Sequence, residues 1–126
     1  MNKNLVIISI LGAITIVLGA FGAHALKEVL TVDELKSYET AVKYQMFHII
    51  VLLIVNTYTG FNLKNKNVIS YLFLAGILFF SGSIYAITLG VSPKNIWFIT
   101  PIGGLLFIIG WLKLAYSFFK IKKEEK

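Results

Sequence analysis

Few side chains in this chain can do chemistry, and most of them fall in one stretch. His48 follows Tyr44 by four residues and Gln45 by three, so on a helix the three share a face. Glu39 stands upstream of them, and His24 closes the preceding apolar block on the same side. Ionisable groups inside an apolar span are costly in hydrocarbon and usually face a bundle interior or water, which makes them candidate functional groups. His24, Glu39, Tyr44, Gln45 and His48 are therefore the expected ligand-binding or polar functional patch. The plainer reading of the same residues is that Gln45 and His48 satisfy each other, or a neighbouring carbonyl, and set helix register.

Other chemistries are excluded. Two histidines on adjacent helices hold a haem only at equal depth. His24 ends its block, whereas His48 lies about eight residues into the next, roughly 12 Å deeper at a helical rise of 1.5 Å per residue. No third ligand accompanies them, so neither haem, metal nor any other cofactor is expected. Without cysteine there are no disulfides, thiolate sites or cysteine nucleophiles. G-x-S-x-G, a phosphate loop and H-E-x-x-H are all absent, so no enzyme is expected. Lys113 sits two turns inside the last apolar block, and snorkelling to the headgroups accounts for it.

The elements that must position these residues follow from composition. Of 126 residues 57% are hydrophobic and 14% charged, against about 25% charged in a soluble domain. The mean hydropathy is +0.79. Apolar residues come in four blocks, approximately Leu5–Leu26, Ala41–Thr59, Val68–Leu89 and Pro101–Phe119. Each approaches the roughly 20 residues a helix needs to cross hydrocarbon, and four spans cannot close a β-barrel. The expected fold is all-α: one integral membrane domain over 1–126, a transmembrane four-helix bundle. Ala23-His24-Ala25 imitates a signal cleavage site, but the preceding apolar run exceeds a signal core of about 7–15 residues, so the first helix is read as retained.

With both termini inside, the inner side carries Lys3, Lys64, Lys66, Lys120, Lys122, Lys123 and Lys126, and the outer side Lys27, Lys36, Lys43 and Lys94. That excess predicts an N-in/C-in orientation. The net charge of +6 sits at block ends rather than in a basic stripe, so the expected partner is the lipid bilayer and its anionic headgroups, not nucleic acid.

The connections carry their own signals. Residues 27–40 form an outer connector, helical from about Val32, because Thr31 followed by Glu34 has the capping-box pattern. Thr100-Pro101 reads as an N-cap with proline at the first helical position. Residues 120–126 read as a solvated cytoplasmic tail. Small residues recur within the spans: Gly12, Gly19, Gly22 and Ala23 in the first, Gly82 in the third, Gly103 and Gly104 in the fourth. Apolar burial drives little association in lipid, so small residues that let backbones approach take over. Gly19-xxx-Ala23 and Gly82-xxx-Ala86 fit that pattern. Packing within one bundle is the first use for these residues, and a homo-oligomer interface is the second.

Gly19-Ala-Phe-Gly-Ala-His24-Ala25-Leu26 and Tyr38-Glu39-Thr-Ala41-Val-Lys-Tyr44-Gln45-Met46-Phe-His48 resemble the two signature stretches of the domain-of-unknown-function 423 family. Phe80-Ser81-Gly82-Ser83-Ile-Tyr85 and Thr100-Pro101-Ile-Gly103-Gly104 are similar to it as well. The resemblance implies four spans in a bacterial plasma membrane and brings no activity, substrate or cofactor with it. A binding or assembly protein of that membrane is the expected function, with a small oligomeric transporter or channel as the alternative. The absence of native cysteine gives a clean test of orientation. Lys36→Cys should react with a membrane-impermeant maleimide on intact cells, and Lys64→Cys only after permeabilisation; the reverse pattern overturns the N-in assignment.

Overall fold

A computed structural model describes residues 3–124, with side chains through Ile121; the last two residues of the expected tail, with Met1 and Asn2, lie outside the described residues. The chain is all-helical: α1 Lys3–Ala23, α2 Val32–Thr57, α3 Leu63–Thr88, the short α4 Pro93–Ile96, and α5 Ile99–Glu124. Four of these helices, α1 with the 3-10 turn that continues it, α2, α3 and α5, are long and apolar enough to cross a membrane.

Local chemistry sets the ends. The Thr31 side chain accepts from the Glu34 amide while the Glu34 carboxylate accepts from the Thr31 amide at 2.9 Å, a complete capping box at the start of α2. Asn62 caps α3 through the Asn65 amide at 2.9 Å. The end of α3 turns on Gly90, whose φ of 106° only glycine takes without strain. The Gly90 and Val91 amides bond back to the Ile87 and Ala86 carbonyls, as a Schellman motif requires.

Two boundaries depart from expectation. Regular α-helix in the first span stops at Ala23, and a 3-10 turn at Leu26–Glu28 completes it. The fourth begins at Ile99, so Thr100 is not an N-cap and Pro101 is the third helical residue. Proline is tolerated there because the first-turn amides have no helical acceptor. The Thr100 hydroxyl instead meets that of Ser83 on α3.

Packing runs along two ladders. On the α3–α5 seam, aromatic rings fill gaps that glycines leave: Phe73 lies against Gly110, Phe107 against Gly76, and the backbone of Phe79–Phe80 against Gly103. These pairs descend α3 as they ascend α5, and on each helix they span one heptad, which is how antiparallel helices meet on facing stripes. On the α1–α2 seam the order is Gly22 with Tyr38, Gly19 with Val42, Thr15 with Gln45, and Gly12 with Ile49. The α1 side of this seam is thin: only Ile8, Thr15 and Gly22 of that helix are buried.

Two of the expected packing residues are not close contacts. A Cβ on Gly82 would meet only its own helix, at 3.9 Å. It is its neighbours Ser81 and Ser83 that reach α2 and α5. Ala23 is exposed, because α1 ends there and the chain turns away. Gly104 makes ordinary contact with the Phe80 ring at 3.9 Å.

Gly103→Ala should destabilise the protein by about 1–3 kcal/mol, since the added methyl runs into backbone. Gly82→Ala should be neutral or stabilising by up to about 1 kcal/mol through helix propensity. Reversible unfolding in detergent distinguishes them. Equal effects would mean that the α3–α5 contact is not backbone-tight.

Candidate functional site

Four of the five expected patch residues sit on α2, and the helix deals them to different neighbours. Gln45, 3% exposed, points into the core. Its Nε2 donates to the Thr15 hydroxyl on α1 at 2.8 Å, and its Oε1 accepts from the Tyr85 hydroxyl on α3 at 2.8 Å. Thr15 passes the chain on to the Leu11 carbonyl at 2.6 Å. Tyr38, packed beside Tyr85, reaches the Leu18 carbonyl on α1, and Ser81 donates to the Ala41 carbonyl at 2.7 Å. Gln45 thus joins α2 to α1 and α3, and its partners are Thr15 and Tyr85 rather than His48 or a neighbouring carbonyl.

His48 points the other way, toward α5. Its Nδ1 lies 2.6 Å from the Tyr44 carbonyl and its Nε2 3.2 Å from Trp111 Nε1. A carbonyl only accepts and an indole N–H only donates, so His48 is the neutral tautomer with the proton on Nδ1. Its ring stacks on Phe107 at 3.7 Å with planes 8° apart, and Phe73 and Trp111 meet it at an angle. Both nitrogens are engaged, so His48 is no free base.

Beside it runs a groove of about 630 Å³, walled by Tyr44 and His48 of α2 and by α5 from Pro101 to Trp111, with Phe80 and Phe107 beneath. The gap exists because α2 and α5 both pack chiefly on α3, while Pro101 and Gly104 project little toward it. The groove opens sideways: Leu105, Ile108, Trp111 and Tyr44 on its rim are all exposed. The Tyr44 ring lies 4.9 Å from that of Phe80, and the Tyr44 hydroxyl has no hydrogen-bond partner among the described residues.

The remaining two patch residues lie elsewhere. Glu39 is exposed, nine residues before His48. At about 100° per residue that is the opposite face of α2. His24 is exposed beside a shallow hollow on α1 formed with Val17, Ala20, Phe21 and Ala25. The five residues therefore do not form one patch. Among the described residues, no group of three metal-ligating side chains occurs. Sequence reasoning missed Trp111, although a tryptophan well inside a span, away from the interfaces such residues favour, is a signal.

It also missed the far end of the bundle. There Asn4 on α1 donates through Nδ2 to the Oδ1 atoms of Asn56 and Asn67, each at 3.0 Å. Asn56 in turn donates to the Leu52 carbonyl and the Ser70 hydroxyl, both at 2.9 Å. Lys66 Nζ caps the Asn56 carbonyl at 3.0 Å. Lys113 reaches back from α5 to Asn65 Oδ1 at 3.1 Å, its ammonium 5.5 Å from the Tyr116 ring centroid. Among the described residues, no buried side-chain nitrogen or oxygen lacks a partner.

Known proteins match along most of the chain. A family described as "Protein of unknown function (DUF423)" matches residues 18–104, a range that holds all five patch residues and the groove as far as Gly104. A UPF0382 membrane protein of Haemophilus influenzae is 43% identical over 96% of this chain and 97% of its own length. Relatives of the same name in Staphylococcus aureus and Staphylococcus haemolyticus are 44% and 45% identical, over 88% and 81% of this chain and 93% and 83% of theirs. No solved structure matches. With four membrane-length helices and near full-length kinship to these bacterial membrane proteins, the chain belongs to the DUF423 family.

Proposed function

We propose that this multi-pass protein of the bacterial plasma membrane is a binding protein whose α2–α5 groove takes up the apolar chain of a lipid-like molecule. The groove carries the reading. Ligand sites are typically cavities of about 300–1,000 Å³, mostly apolar and aromatic, with few placed polar groups. This one has about 630 Å³, a floor of phenylalanines, and a side open where hydrocarbon would be. Among the described side chains lining it, the Tyr44 hydroxyl is left over, which suits a ligand whose hydrogen-bonding group sits beside Tyr44 and whose chain runs along α5 toward Trp111.

A transport path through one copy finds less support. The core polar groups, Gln45, Thr15, Tyr85 and Ser81, are bonded to each other or to backbone, and they leave no string of open acceptors for a solute. Catalysis finds none, since His48 is held at both nitrogens.

The test uses protein in nanodiscs containing a trace phospholipid with a diazirine on its acyl chain. After irradiation, labelling at Leu105, Ile108 and Trp111 should exceed that at the exposed α1 residues Ile10, Ile14 and Ile16 several-fold. Gly104→Leu, which adds bulk where a Cβ meets only a ring at 3.9 Å, should fold and cut that labelling several-fold. Even labelling around the bundle, or no effect of Gly104→Leu, overturns the proposal. Solute flux through liposomes holding the protein would do so too, in favour of transport.

A further inference from the structure

The asparagine end of the bundle has a charge arrangement that its described side chains do not resolve. Lys66 and Lys113 are half-buried, and each ammonium is anchored by a neutral acceptor, the Asn56 carbonyl and the Asn65 amide oxygen. Lys64 stands in the same first turn of α3, which contains no acid. The acids whose side chains are described, Glu28, Asp33, Glu34 and Glu39, lie in or beside the α1–α2 connection, at the other end.

An ammonium has three donors, and one neutral acceptor neither fills them nor balances the charge. Lys113 is the more telling of the two. It starts about three turns before the end of α5 and crosses to α3, so the protein holds this cation in place beside Tyr116 instead of letting it swing free.

We infer that this end is a seat for the phosphate of an anionic phospholipid, held by Lys66 of the first turn of α3 and by Lys113, which reaches that turn from α5. Charge complementarity selects the occupant: the site is cationic, fixed, and at one end of the membrane-length helices, the end of a span being where anionic headgroups supply a phosphate. Phosphate oxygens fill the remaining ammonium donors with charge-assisted bonds stronger than those to neutral groups. The inference is independent of the groove, which opens on a different part of the bundle.

Thermal unfolding in phosphatidylcholine nanodiscs with and without phosphatidylglycerol tests it, with native mass spectrometry counting retained lipid. Phosphatidylglycerol should raise Tm by several degrees and remain bound to the released protein. The Lys66→Gln/Lys113→Gln double variant should lose at least half of the shift and the retained lipid, while Lys94→Gln, at the opposite end, keeps both. Equal Tm values of wild type and double variant in pure phosphatidylcholine establish that the variant folds; if it unfolds there, Lys113→Gln alone carries the same test. The inference is overturned if the phosphatidylglycerol shift survives the lysine changes, if Lys94→Gln abolishes it equally, or if inorganic phosphate reproduces it in full, which marks a site for free anions.

Discussion

The bundle depends on one side-chain amide being completed from two sides. Gln45 lies in the middle of α2, where hydrocarbon offers its nitrogen and oxygen nothing. The nitrogen finds Thr15 on α1 and the oxygen finds Tyr85 on α3. Each bond of this kind is worth only about 0.6 kcal/mol on average in a membrane protein. Its weight lies in geometry, because a shift of one residue in either neighbour leaves a polar atom buried and unbonded. Tyr38 on Leu18 and Ser81 on Ala41 repeat the rule a turn or two away. Register across three helices therefore comes from polar atoms, in a protein whose bulk is apolar.

The α3–α5 seam uses a different device. Where Gly103 meets the backbone of Phe79 and Phe80, the two helices approach as closely as main chains allow. Phe73 and Phe107 occupy the room left by Gly110 and Gly76, so rings and gaps alternate. With α2 and α5 each packed mainly on α3, these two meet chiefly through His48 with Phe107 and Trp111, and the groove beside His48 is what remains between them. The His48–Trp111 bond crosses that gap at one level and leaves the side open to the bilayer.

What the sequence disclosed was local. The four apolar blocks, the Thr31–Glu34 box and the importance of Gly103 are all readable over a few residues, because capping and burial periodicity act at that range. Partners were not readable. Trp111 and His48 are 63 residues apart, and Asn4 meets Asn56 and Asn67 at similar distances along the chain. Grouping Glu39 with His48 considered depth in the membrane and overlooked rotation: nine residues carry a side chain about half a turn round the helix. The same count separates Gln45 from Tyr44 by about 100°, enough to send one to α1 and α3 and the other to the groove.

The self-sufficiency of Thr15 bears on how the protein is made. Its hydroxyl already bonds the Leu11 carbonyl of its own helix at 2.6 Å, so α1 can enter the bilayer alone without stranding a polar group. Gln45 has no such refuge within α2. One end of its amide needs α1, already threaded, and the other waits for Tyr85, which emerges from the ribosome forty residues later. Biogenesis in this order favours delivery of α2 and α3 as a pair, joined through the short turn around Asn62, with α5 added last, its Gly103 and Gly110 closing on Phe73 and the Phe79–Phe80 backbone of the finished hairpin.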